Sequence, residues 1–236
     1  MARSHARIEL VFCQVIDVPR MLARADRFAD DYEIALEATQ EEARSLLQRC
    51  MALAGQAGIF AEACIRYGKP ATEVAMLADV FAADLIVIGN RPSDRIHRFL
   101  CGSVRDEIVR ASGIPVLVAD ANASNPPEFG ANCVLAQLAD ASVSPAALRL
   151  ASGIAAAYGR GLVCLPPADR SGRAGSGAIE QAVAEYRPAL IVIGAPPQGA
   201  LRDFFSPNLV ERTLQSVDAP VLVVPGGARR RLRHAD

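Results

Sequence analysis

Apolar and polar segments alternate most regularly between Asp84 and Ala119. A continuous apolar run at residues 85–88 is followed by a polar, arginine-rich loop, a helix-like segment at 104–111 and a second apolar run at 116–118. Continuous apolar runs are typical of strands that are covered on both faces of a parallel sheet. The pattern therefore predicts a strand, a loop, a helix and a second strand of an α/β sheet.

The same pattern recurs 105 positions later. Residues 86–89 recur at 191–194, Pro92 recurs at Pro197, and residues 115–118 recur at 220–223. Three separate matches that share one offset across a loop and a helix predict an internal duplication.

The other segments also alternate between strand and helix patterns. Predicted strands are Ile8–Ile16, Phe60–Ile65, Cys133–Leu135 and Leu162–Leu165, and predicted helices carry the apolar stripes Phe28–Leu53, Val74–Phe81, Pro145–Ala157 and Ile179–Tyr186. Residues 166–177 are rich in Pro, Gly and Ser and are expected to be a flexible linker, although their glycine spacing faintly resembles a phosphate loop. We expect two α/β domains, residues 1–120 and 132–226, joined by a linker at 121–131 and followed by a basic tail at 227–236.

Composition narrows the range of functions. The formal net charge is −1, which gives no bulk reason to expect a nucleic-acid partner. Apolar runs fall short of the roughly 20 residues that a membrane helix needs, and the N-terminus does not resemble a signal peptide, so no membrane partner and a cytoplasmic location are expected.

The six cysteines are scattered without a C-x-x-C pair, so neither a metal site nor a disulfide framework is predicted. Most of them are expected to be small buried apolar residues. Cys101 stands directly before Gly102 at a predicted helix start, where a lowered thiol pKa would make it redox-sensitive, although ordinary burial is the favoured interpretation.

Both halves resemble universal stress protein domains. The first half has Gly89 after its apolar run, Pro92 three residues later, and Gly102-Ser103 after nine more residues, and residues 68–71 resemble the turn before the family's third helix. The resemblance implies a doubly wound α/β fold with a five-stranded parallel sheet and helices on both faces. In nucleotide-binding members, glycine occupies the position of Pro92.

The resemblance also implies that each half is incomplete. The first half starts at the family's second strand, without the first strand and helix. The second half has both, including Asp140-x-Ser142, which is similar to the family turn that holds the adenine end of a nucleotide. It lacks the second helix and third strand.

A nucleotide site in the first half would hold ATP, ADP or AMP through Gly89, Arg91, Gly102, Ser103 and Val104. The alternative is that the glycines are turn residues, Ser103 caps a helix and Arg91 is exposed to solvent. Proline lacks an N–H group and fixes φ, so Pro92 weakens such a loop. Pro197 repeats this change in the second half, where Pro207-Asn208 also replaces Gly-Ser.

Three functions remain open on the sequence. The favoured one is a non-catalytic stress-response scaffold or signalling module, whose domains pair through residues 116–118 and 221–223 or form a homodimer by the same strands. The alternative is an ATP- or AMP-binding module. An enzyme is least favoured, because Lys69 is not followed by Ser or Thr as in a Walker A loop and His5, His97 and His234 are isolated.

Overall fold

The computed structural model describes residues 8–24, 29–90, 104–120, 133–137, 144–165, 173–195, 213–214, 217 and 219–226. The chain divides into two compact units, Met1–Leu77 and Ala78–Asp236. The domains at 1–120 and 132–226 stay predictions. The α/β class is confirmed by the order of strands and helices.

The first unit contains a two-stranded parallel sheet. Strand β1 (Glu9–Ile16) pairs along its whole length with β2 (Phe60–Tyr67). Between them in sequence lie α1 (Val18–Arg24) and the long helix α2 (Ala29–Gln56), which packs on both strands. On α2, Ala43, Leu47 and Ala54 are buried on one face, as the predicted apolar stripe requires.

Two turns in this unit have a clear local cause. Asp17 accepts a hydrogen bond from the Arg20 amide through Oδ1 at 3.0 Å and so caps α1, a helix that the sequence analysis did not predict. Gly68 has φ +148°, and a Cβ there would lie 2.8 Å from Glu73 Oε1. Only glycine fits this turn, which leads into α3 (Pro70–Val80).

The second unit contains a six-stranded sheet in the order β3-β4-β8-β7-β5-β6. Its elements are β3 (Ile86–Asn90), α4 (Val104–Ala111), β4 (Val116–Asp120), β5 (Cys133–Gln137), α5 (Ser144–Ala157), β6 (Gly161–Leu165), α6 (Arg173–Tyr186), β7 (Leu190–Ala195) and β8 (Val221–Pro225). Neighbouring strands are parallel except for β4 and β8, so the sheet is mixed rather than wholly parallel.

The strands of the two repeats pair in the same register. Ile86 lies opposite Val116, and Ile191 lies opposite Val221, each 105 positions further on. The hydrogen bond from the Ile86 amide to the Pro115 carbonyl is 3.0 Å long, as is the bond from Ile191 to Pro220. The strand pairs of the two stretches therefore fold alike, as the repeated sequence predicts.

The two repeats meet at β4 and β8. These strands pair antiparallel, with Val116 opposite Val223, Leu117 opposite Leu222 and Val118 opposite Val221. This is the strand pairing that the family resemblance implies, and it occurs within one chain. Because the pair is antiparallel, the strands β3 and β4 end on the opposite side of the sheet from the side on which β7 and β8 end.

Helix α5 covers one face of the second half. It packs on β5, β6, β7 and β8, and its residues Ala147, Ala151 and Ala155 are buried against Val192 and neighbouring strand residues. Their spacing of four places them on one side of the helix. Small side chains let α5 lie close to the sheet, so the core is formed mainly by strand residues.

The predicted linker at 166–177 is wrong for its last five residues. Helix α6 begins at Arg173, so Gly175 and Gly177 lie inside a helix. Glycine costs a helix about 1 kcal/mol relative to alanine, but burial of Ile179 and Ala182 further along α6 holds the helix in the fold. Tertiary packing thus overrides a weak local preference.

Candidate functional site

Two of the five predicted site residues lie in the part of the chain that the structure describes. Gly89 is the fourth residue of β3 and is exposed, opposite Ala119 of β4. Val104 is the first residue of α4 and is half-buried. Arg91, Gly102 and Ser103 lie outside the described residues, so the structure does not place them relative to these two.

Gly89 lies near the carboxyl ends of the paired strands β3 and β4. Asn90 and Asp120 end these two strands opposite each other. The carboxyl ends of parallel strands are where α/β sheets bind ligands. Exposure of Gly89 leaves its backbone accessible there, as a binding loop requires.

The carboxyl ends of β7 and β8, the equivalent strands in the second half, have different surroundings. Gly194, the equivalent of Gly89, is buried, and Ala195 lies opposite Pro225. The Gly226 amide donates a hydrogen bond to the Ala195 carbonyl. This backbone contact occupies the strand end, so the two glycines of the repeat have different surroundings.

The first turn of α4 contains charges that the sequence analysis missed. Arg105 Nε lies 3.2 Å from Asp106 Oδ1, and the Asp106 side chain is only 9% exposed. Arg110 Nε donates to the Asp106 carbonyl at 3.2 Å. A carboxylate is stabilised near a helix N-terminus by the helix dipole. The acidic pair at positions 106 and 107, directly after a predicted helix start, was the available sequence signal.

Asp106 changes the electrostatics of the predicted phosphate site. Its negative charge lies in the first turn of the helix whose N-terminus would bind a phosphate. It offsets the positive end of the helix dipole, and the Arg105 guanidinium 3.2 Å away balances its charge locally.

Comparison with known protein families establishes the family of this chain. Residues 1–120, just over half of the 236, match the Universal stress protein family. The chain belongs to the universal stress protein family. It is also 31% identical over 87 residues to a curated universal stress protein of Methanocaldococcus jannaschii, an alignment that covers 37% of this chain and 51% of the relative. The chain thus spans about half the length of the curated relative it matches.

Solved structures of similar fold cover nearly all of this universal stress protein. A universal stress protein from Archaeoglobus fulgidus superposes with a TM-score of 0.70 at 20% identity, over 93% of this chain and 86% of that one. A Pseudomonas aeruginosa UCBPP-PA14 protein named for the same family gives a TM-score of 0.54 at 12% identity, over 93% of each chain. At these identities the likeness supports the fold alone.

The remaining candidate site residues and motifs do not form a site within the described residues. His5, His97, His234 and the Asp140–Ser142 turn lie outside the described residues. The glycine pattern at 172–177 is not a phosphate loop, because its last two glycines are helical. Within the described ranges, no three His, Cys, Asp or Glu side chains are grouped as a metal site, and no helix is long and apolar enough to cross a membrane.

The cysteines differ from the sequence prediction. Of the five that the structure describes, only Cys133 is buried; Cys13, Cys50 and Cys64 are half-buried and Cys164 is exposed. The prediction that most are buried is wrong for these five. In the first unit the cause is topology, because a two-stranded sheet does not enclose its residues as a larger sheet does. Cys101 lies outside the described residues.

Proposed function

We propose that this protein is a non-catalytic cytoplasmic module of the stress response that acts as a paired scaffold, built from a duplicated unit. The observation that carries the proposal is the antiparallel joint between β4 and β8. Val116, Val118, Val221 and Val223 are each at most 2% exposed, so the joint is part of the core. Its strands keep their apolar sequence in both halves, whereas the phosphate loops depart from the family pattern.

The altered loops support a scaffold over a nucleotide sensor. Pro92 and Pro197 each remove a backbone donor, and Pro207 stands where the second half would need glycine. Apolar strands together with altered loops support a role that depends on strand pairing rather than on ligand chemistry.

A second candidate function is adenine nucleotide binding by the first half. One observation favours it: Gly89 is exposed at the carboxyl end of β3, whereas its equivalent Gly194 is buried. Gly102 and Ser103 also keep the family's residue types at the predicted helix start. In this alternative Arg91 neutralises part of the phosphate charge and Val104 contributes its amide.

Isothermal titration with ATP and with AMP distinguishes the two functions. For the scaffold we expect no heat beyond dilution when the full chain is titrated. Heat that a Gly102→Val variant abolishes would instead establish the nucleotide-binding function. A Gly153→Val variant, at a helical glycine with open space around it, is the control for a general effect of the substitution.

Replacement of each loop proline by glycine tests whether proline is the reason for weak or absent nucleotide binding. Because each recovered amide donates a charge-assisted hydrogen bond worth about 1.5–3 kcal/mol, Pro92→Gly should bind ATP about 10- to 150-fold more tightly than the parent. Pro197→Gly is the matched variant and should gain nothing, because Pro207-Asn208 remains. Equal behaviour of both variants would show that proline does not decide nucleotide binding here.

A further inference from the structure

Two thiols face each other in the first unit. Cys13 of β1 lies directly opposite Cys64 of β2 in the parallel pairing. Residues in register on adjacent strands point to the same face of a sheet, so the two thiol groups are neighbours on one face. Both side chains are half-buried, so small reagents have access to them.

Charged residues border this thiol pair on the same face. Glu62 and Arg66, two positions before and after Cys64, lie opposite Val11 and Val15. Arg66 Nε is 3.7 Å from Glu73 Oε2 of α3. The pair therefore has charged as well as apolar neighbours on its face and is not sealed in an apolar core.

We propose that Cys13 and Cys64 are a modification site, at which a peroxide forms a disulfide between β1 and β2. Adjacent strands lie about 4.8 Å apart, which falls within the Cα separation of about 4.4–6.8 Å that disulfides span. Two thiols alone do not make a structural zinc site, which needs four ligands. Oxidation is thus the chemistry that fits an isolated, facing pair.

The reaction has two balanced steps. Cys64 Sγ attacks one peroxide oxygen, the O–O bond breaks, and Cys64 becomes a sulfenic acid as the peroxide is reduced to water or an alcohol. Cys13 Sγ then attacks Cys64 Sγ; the S–S bond forms, and the hydroxyl leaves as water with the Cys13 proton. The two thiols together lose two electrons and two protons.

The environment indicates which thiol reacts first. Burial, followed by the charge and hydrogen bond of Cys64, raises the pKa of Cys13 to about 12. A thiolate is the reactive form, so the raised pKa makes Cys13 slower to oxidise than an ordinary thiol. We assign the first oxidation to Cys64 and the second step to Cys13.

The disulfide would stabilise a weak part of the fold. An isolated two-stranded sheet is marginal in water, and among the described elements it is mainly α2 that packs on this one. A bond between residues 13 and 64 closes a long loop and restricts the unfolded chain. Peroxide would thus convert a loosely held strand pair into a covalently linked one.

The full chain is oxidised with hydrogen peroxide, alkylated with N-ethylmaleimide, digested and analysed by mass spectrometry. We expect a cross-linked peptide pair that contains Cys13 and Cys64, lighter by two hydrogens and released by dithiothreitol. Recovery of both residues as alkylated thiols, or of Cys13 and Cys64 linked to other cysteines, would overturn the proposal.

Serine variants give a second readout. Cys13→Ser and Cys64→Ser should each lose the cross-link, and Cys13→Ser should leave a sulfenic acid on Cys64 that dimedone traps. Cys164→Ser, at the exposed cysteine of β6, is the matched control and should keep the cross-link. Trapping of the sulfenic acid on Cys13 in Cys64→Ser, and not on Cys64 in Cys13→Ser, would contradict the assigned order.

Hydrogen exchange tests the structural consequence in the wild-type chain. Oxidation should slow the exchange of β1 and β2 amides at least tenfold, because opening of the sheet then requires movement of linked strands. Amides of β7 and β8 serve as the internal reference and should not change. Equal rates for β1 and β2 before and after oxidation would rule out the stabilising role.

Discussion

The strand pairs β3–β4 and β7–β8 have the same sequence pattern and register but different surroundings. Val87 of β3 is 60% exposed, whereas Val192, its equivalent in β7, is fully buried. In the second half α5 covers this face of the sheet, with Ala151 packed in the same cluster as Val192. Strand β3 is at the sheet edge, and β7 lies between β8 and β5.

This difference separates two properties that are often assigned to a strand together. Pairing follows from the strand's own residues, because Ile86 and Ile191 take equivalent partners. Burial follows from what is packed on top, because the same Val-to-Gly pattern is covered in one copy and exposed in the other. An apolar run therefore predicts a strand more securely than it predicts a core.

The largest expected effect is that of a charge on this face. Val192→Asp should cost about 4 kcal/mol or more, because an unpaired carboxylate would be buried under α5. Val87→Asp should stay within about 0.5 kcal/mol, since its side chain faces outward on an edge strand. Urea unfolding measures both, and a similar loss for the two variants would show that β3 is covered in solution.

The joint between the copies offers a second matched pair. Leu222 is 4% exposed, whereas Leu117 opposite it is only partly buried against the same cluster. Leu222→Ala should therefore cost about 3 kcal/mol and Leu117→Ala about half as much. The shift in urea midpoint gives the ratio, and an equal cost would mean that the joint is buried evenly from both sides.

The residue that follows α4 differs in chemistry from its equivalent in the second half. Ser112 Oγ donates to the Ile114 carbonyl at 2.7 Å and accepts from the Ile114 amide at 3.2 Å, while the equivalent residue is Val217. Ser112→Val should cost about 1–2 kcal/mol, because both groups of Ile114 lose a partner. Ser152→Ala, at an exposed helical position, is the control. No loss on Ser112→Val would show that the hydroxyl is replaceable by water.

The smallest effect concerns pH. Burial raises the pKa of Cys133, at the start of β5, above its ordinary value of 9.0. Because the unfolded chain releases this proton first, stability should fall as pH rises above 9. The urea midpoint of the wild type should therefore fall more between pH 8 and pH 10 than that of Cys133→Ser. An equal fall in both proteins would assign the effect to other groups.

Much of the fold could be predicted from the chain itself. The strands around Ile86, Val116, Ile191 and Val221 follow from their apolar runs, and the pairing of β4 with β8 follows from the family resemblance. The sequence predicts too short a helix α6, because Gly175 and Gly177 disfavour a helix locally while packing at Ile179 favours it. Such a competition is decided by contacts that are distant in sequence.

The candidate site was less predictable. Gly89 could be found from the family spacing, and its exposure depends on the covering of β3. The ion pair of Arg105 and Asp106 depends on burial of the first turn of α4, which a list of charges does not reveal. The facing of Cys13 and Cys64 depends on the register of strands about fifty residues apart, so no local pattern marks it.

The reversal of strand direction between β4 and β8 gives the six-stranded sheet carboxyl strand ends on two opposite sides. A molecule that contacts the strand ends of the first copy approaches from one side, and a molecule at the strand ends of the second copy approaches from the other. By the register of β4 and β8, the last residues of the two strands lie six positions apart, which at about 3.3 Å each is about 20 Å. Two molecules bound at these opposite ends would therefore not compete sterically.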